Sequence, residues 1–152
     1  MRTRWILLLS VVGYFASAVE VRAHCEIPCG IYGDDLRFAM IDEDIRTIEK
    51  SMTKIKELSD DVKNINQLTR WVNNKERHAD RIREVVTQYF MTQRLKAPDE
   101  ADEAAFGAYT NQLVLLHKMM KAAMKCKQTT DLAHAKTLHD LLHDFKEAYQ
   151  KK

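Results

Sequence analysis

With 152 residues, 45% hydrophobic and 30% charged, the chain has the size and composition of a single globular domain. Its 4 Gly and 2 Pro are too few for a turn-rich β fold and favour long helices. A formal charge of +2 leaves no basic footprint for nucleic acid, and the sequence contains no internal repeat, low-complexity tract or Gly-rich phosphate loop.

The first element expected is a leader peptide. Arg2 and Arg4 precede an uncharged apolar run from Trp5 to Ala18, and Val21-Arg22-Ala23 supplies small or apolar residues at the −3 and −1 positions of a cut before His24. The run is shorter than the roughly 20 residues of a comfortable membrane span. Residues 1–23 are therefore expected to be removed, and the protein to be exported, periplasmic or secreted. Ala16-Ser17-Ala18 is a competing cleavage site that would leave Val19 to Ala23 ahead of His24. Residues 1–23 carry Arg2, Arg4 and Arg22 against Glu20, so their loss balances the charges of the remainder. Any attraction for an anion must then come from local lysines and arginines.

Residues 24–34, punctuated by Pro28, Gly30 and Gly33, read as a loop. The rest, 35–152, reads as four helices. The first spans about 35–58, with Ile41, Ile45, Ile48, Met52 and Ile55 on one face and Asp34 or Asp35 as cap. The second spans about 61–95, with a stripe of Val62, Ile65, Leu68, Val72, Ala79, Ile82, Val86 and Tyr89, and is stopped by Ala97-Pro98. Asp99, Glu100, Asp102 and Glu103 suit the start of the third, whose stripe is Phe106, Tyr109, Leu113, Leu116, Met120 and Met124. Thr129 or Thr130 caps the fourth, with Leu132, Leu138, Leu141, Leu142, Phe145 and Tyr149 facing inward. The expected fold class is all-α: an antiparallel four-helix bundle with an irregular N-terminal metal-binding hook.

A di-iron centre needs Glu-x-x-His on two helices. Asp131-x-x-His134 and Asp140-x-x-His143 are the nearest approach, and both lie on one helix. His139 and His143 share a face at i, i+4 but have no evident third ligand. Cys126 stands alone and reads as a small buried hydrophobe.

His24-Cys25-Glu26-Ile27-Pro28-Cys29-Gly30-Ile31-Tyr32 is different, because it gathers one histidine and two cysteines within six residues. A Cys25–Cys29 disulfide is one reading of an exported chain, although so small a ring closes little chain entropy. A metal hook is the other. Cleavage before His24 frees an α-amine, which joins the His24 imidazole and the Cys25 and Cys29 thiolates as donors. Mixed nitrogen and thiolate donors in a tetragonal set suit Ni(II) or Cu(II).

The pattern His-Cys-x-x-Pro-Cys-Gly-x-Tyr, met here by His24, Cys25, Pro28, Cys29, Gly30 and Tyr32, resembles the nickel hook of nickel superoxide dismutases. Trp71-Val72-Asn73-Asn74-Lys75-Glu76 with Tyr89-Phe90 resembles the family's second helix. The resemblance implies one nickel ion per subunit, held by the His24 α-amine, the Cys25 amide nitrogen and the thiolates of Cys25 and Cys29. The His24 imidazole would add an axial bond in the oxidised state, and the Ile27–Pro28 bond would be cis. It implies a superoxide dismutase that makes dioxygen and hydrogen peroxide by Ni(II)/Ni(III) cycling, assembled as a homohexamer after a processing protease frees His24. Tyr32 would guard the open face of the metal, and Tyr89 matches a second tyrosine near it. Some members orient the imidazole with an Arg and a Glu. Here His78 stands at the Arg position and Ile41 near the Glu, so His78 is expected to take the orienting role.

Two other functions fit the same residues. One is an exported, non-catalytic helical bundle with a Cys25–Cys29 disulfide. The other is a carrier that binds nickel or copper without turnover.

Overall fold

The computed structural model describes residues 31–151, and every regular element among them is helical. The expected leader and the hook residues His24, Cys25 and Cys29 lie outside the described residues. Helix α1 runs Asp34–Leu58, and a 3-10 turn Val62–Asn64 leads into α2, Ile65–Glu84. A π-helical stretch, Val85–Arg94, continues α2 without a break; α3 is Glu103–Gln128 and α4 is Leu132–Gln150.

The helices form a ring in chain order, with α1 packed on α2 and α4, and α3 packed on α2 and α4. Their ends fix the directions. Asp34 at the start of α1 bonds Arg94 at the end of the π stretch and Tyr149 at the end of α4. Gln112, in the first half of α3, donates to the Ala148 carbonyl near the end of α4 at 3.0 Å. Neighbouring helices are thus antiparallel, and residues 31–34 emerge at the end of the bundle that holds Arg94 and Tyr149.

The 3.6-residue periodicity reads α1 well: Ile41, Ile45, Ile48, Met52 and Ile55 are all buried. It fails on the 3-10 turn and the first half of α2, where Val62, Ile65 and Val72 are exposed and Leu68 is half-buried. The cause is length. Lys75 meets the last carbonyls of α3, so the part of α2 before it projects past the end of α3 with only α1 beside it. In α3 the buried set is Leu115, Leu116, Met119, Ala122, Ala123 and Cys126 rather than the larger residues expected, of which only Leu116 is fully covered. Small side chains, Ala122, Ala123 and Cys126, are buried only toward its C-terminal end, and Phe106 stays 40% exposed. Leu132 of α4 is likewise exposed, while Leu138, Leu142 and Phe145 are buried as expected.

The caps of α1 and α4 differ from expectation, and one of the acidic residues expected at the start of α3 caps it. Gly33, without a side-chain bond, precedes α1, leaving Asp34 and Asp35 in the first turn. Asp102 caps α3 by accepting from the Ala105 amide, and Asp131, not Thr129 or Thr130, caps α4 by accepting from the Ala133 amide.

Lys75 is buried, yet its ammonium is fully employed. It donates to the Cys126 carbonyl at 2.8 Å, to the Lys127 carbonyl, and to Glu76 at 2.9 Å. It closes the C-terminal end of α3, where carbonyls lack intrahelical partners and the helix dipole favours a cation. A Lys75→Met substitution would leave those buried carbonyls unpaired. It is expected to lower the unfolding free energy by about 2 kcal/mol, read as a shift of the urea midpoint.

Candidate metal centre

The hook motif ends at Tyr32, two residues before α1, so its point of attachment to the bundle is described. The Tyr89 hydroxyl donates to the Tyr32 carbonyl oxygen at 2.9 Å and to Asp34 Oδ1 at 2.6 Å. One hydroxyl hydrogen thus serves two acceptors, and the shorter, charge-assisted bond to the carboxylate is the stronger. Asp34 Oδ2 accepts from Arg94 Nη2 at 2.7 Å and from the Tyr149 hydroxyl at 2.9 Å. Arg94 Nε also donates to the Tyr149 hydroxyl at 3.2 Å. The Arg37 guanidinium lies 4.2 Å from the Tyr32 ring centroid and 5.3 Å from that of Tyr89.

Helical winding explains why Tyr89 and Arg94 reach one carboxylate. In an α-helix, at 3.6 residues per turn, residues five apart point about 140° away from each other. A π turn closes i to i+5, which brings them back to one side. The bond from the Leu95 amide to the Phe90 carbonyl, 2.9 Å, and that from the Thr92 hydroxyl to the Thr87 carbonyl, 2.7 Å, follow this spacing.

Beneath the polar cluster lies an aromatic floor. Phe90 stands 5.0 Å from both Phe38 and Phe145 and 5.7 Å from Tyr149, ring centre to ring centre. Tyr89 belongs to both layers: its ring packs edge-on against Phe90, and its hydroxyl joins the cluster.

Burial sets the ionisation of these groups. It pushes the Asp34 carboxyl up, but the hydrogen bonds from Arg94, Tyr89 and Tyr149 outweigh it and hold the group below the usual carboxylate range. Burial, reinforced by the bond to Asp34, pushes the Tyr89 phenol up to about 12, and burial also raises Tyr149. Around neutral pH the cluster is a carboxylate fed by a guanidinium and two protonated phenols.

His78, expected to orient the His24 imidazole, pairs with Asp44, while His24 itself lies outside the described residues. The His78 Nδ1 lies 2.5 Å from Asp44 Oδ1, a carboxylate buried among the α1 isoleucines and raised by that burial. His78 precedes Tyr89 by eleven residues, about 16 Å along a helix at 1.5 Å per residue. The structure does not bring it to Tyr32. His139 and His143 line a groove with Asp35 and Asp42, and His139 Nε2 is 3.6 Å from Asp42 Oδ1. Among the described residues no group of three or more His, Cys, Asp or Glu is arranged to hold a metal ion. Cys126 is fully buried in the core, and burial raises its thiol to about 11, which makes it a packing residue rather than a thiolate donor.

Sequence reasoning singled out Tyr32 and Tyr89 but not Asp34, Arg94 and Tyr149 as partners. Asp34 resembled a cap and Tyr149 a stripe residue, and no period-3.6 pattern signals a π stretch.

A family model described as nickel-containing superoxide dismutase matches residues 19–152. No curated protein and no solved structure matches the chain.

Proposed function

We propose, from the premise that this chain belongs to the nickel-containing superoxide dismutase family, that His24, Cys25 and Cys29 hold its nickel and that Tyr32 covers the metal's open face. The protein is a nickel-dependent oxidoreductase: two superoxide anions and two protons become dioxygen and hydrogen peroxide. Nickel, when bound, supplies the one-electron couple that oxidises one superoxide and reduces the next. The donor set fits it, since an amine, an imidazole and two thiolates suit a metal that takes tetragonal nitrogen and sulfur ligation. Zinc, without redox chemistry, would bind such donors to no effect.

The observation that carries the site is that the matched span contains the entire hook motif and that its last residue, Tyr32, is tied to the bundle by Tyr89. The chain's own residues then have definable tasks. The thiolates of Cys25 and Cys29 donate negative charge. The Tyr89 phenol, protonated at neutral pH, holds the Tyr32 backbone by donating to its carbonyl. Arg37, stacked on the Tyr32 ring, places positive charge beside the hook and attracts the anionic substrate locally, as a charge-balanced chain requires.

The donor set is complete only after a protease cuts between Ala23 and His24 on an exported chain. A homohexamer is the assembly proposed. Val62 and Ile65 on the overhang that leads into α2, with Ile31 and Leu36 beside the hook, are apolar surface exposed among the described residues.

The test is the mass of protein purified from a host that processes the leader and supplies nickel. The expected result is a chain starting at His24, one nickel per subunit, an assembly of six, and superoxide consumption. A metal-free chain two hydrogens lighter would overturn the hook in favour of a Cys25–Cys29 disulfide, and bound nickel without turnover would make the protein a carrier.

A further inference from the structure

The Asp34 carboxylate sits where three helix termini meet the base of the hook. It accepts from Tyr89 and Arg94 at the end of the π stretch and from Tyr149 at the end of α4, while lying at the start of α1. The hydroxyl that serves it also holds the Tyr32 carbonyl. Cys29 precedes Tyr32 by three residues, a length of chain that spans at most about 10 Å. Whatever fixes the Tyr32 backbone therefore fixes the base of the loop that carries the thiolates.

We infer that Asp34, with Arg94 and Tyr149, is a positioning cluster for the nickel hook, acting through the Tyr89 hydroxyl on the backbone of Tyr32. The inference rests on the hook reading above. None of the three residues needs to touch metal or substrate. Asp34 orients Tyr89, because the short bond to its Oδ1 fixes the phenol oxygen where it also reaches the Tyr32 carbonyl. Arg94 and Tyr149 occupy the other carboxylate oxygen and prevent its rotation. Arg37, stacked on Tyr32, closes the outer side. Partners of this kind, one bond removed from the ligands, commonly change metal affinity by about 10–100-fold.

The alternative is that the cluster merely staples three helices, which any stabilising contact could do. The two are separated by measuring nickel release from the loaded enzyme into a chelating dye, well below the unfolding temperature, together with the electron paramagnetic resonance of the oxidised metal. Asp34→Asn and Tyr89→Phe should each speed release by about tenfold or more and change the axial signal. The double variant should be no worse than the poorer single one, because both cut the same link. Tyr149→Phe, which removes one hydroxyl and keeps the aromatic floor, should shift release in the same direction and guards against an Asp34→Asn variant that fails to fold. Lys127→Met, which breaks the 2.8 Å pair with Asp80 away from the hook, is the stability control and should release nickel at the wild-type rate.

Wild-type release rates and an unchanged signal in Asp34→Asn and Tyr149→Phe would overturn the inference while leaving the hook intact. Equal acceleration by Lys127→Met would reduce the cluster to a staple and overturn it too. A wild-type chain that takes up no nickel would overturn the hook itself, before any variant is compared.

Discussion

A chain that keeps Val19 to Ala23 ahead of His24 should neither retain nickel nor consume superoxide above the level of metal-free protein. The α-amine exists only when residue 24 is the first. Its unperturbed pKa is near 8, so a metal can displace its proton at neutral pH. In an extended chain the same nitrogen is a peptide amide, planar and far weaker as a donor. The imidazole would lose its chelate partner at the same time. The bundle should be unaffected, because its core, from Phe38 to Phe145, is built from residues of the four helices and the π stretch. Circular dichroism should therefore match the processed protein while nickel content and dismutation fall away. Removal of the extension in vitro by a protease that leaves His24 first, followed by nickel, should restore both. Full activity with the extension in place would exclude the amine from the site.

Cys29→Ser is the second substitution with a large expected effect, and Cys25→Ser should match it. A thiol with an ordinary pKa near 8.5 becomes a thiolate when a metal competes for its proton, whereas a serine hydroxyl does not. The variant would exchange an anionic, polarisable donor for a neutral oxygen, and the higher oxidation state would lose its stabilisation. Nickel binding should weaken severely and dismutation should disappear. Cys126→Ser provides the contrast: that thiol is fully buried and far from ionised, so its loss should cost stability and leave nickel content unchanged. Equal loss of nickel in all three variants would place a thiolate in the core and refute the hook.

The parts of this architecture that depend on local chemistry were readable from the chain. Helix α1 has α2 and α4 beside it, and all five of its predicted stripe residues are buried, with Phe38, Asp44 and Ser51 buried alongside them. Tyr32 and Tyr89 could be named from the family pattern. What escaped the sequence depends on where elements end relative to one another. Val62, Ile65 and Val72 satisfy the helical period, but period alone does not reveal that α3 stops level with Lys75. His78 could be named from its position in a motif, but its pairing with Asp44 of α1 could not. Asp34 was visible as an acidic residue at a helix start, a common surface feature. Its role emerges only when a π stretch turns Arg94 and Tyr89 to one side and α4 delivers Tyr149.

The bond between Asp34 and Tyr149 joins positions 115 apart in sequence. The α1–α2 and α3–α4 pairings are local in the chain and can form early, since short loops close at little entropic cost. The cluster beneath Tyr32 belongs to the last, longest-range closure, when α4 docks on α1. Its completion is thus a report that the entire bundle has assembled. A chain truncated before Tyr149, or stalled with α4 undocked, would offer nickel a hook whose base is only half held. Nickel would then meet a fully held hook base only on a chain whose four helices have docked.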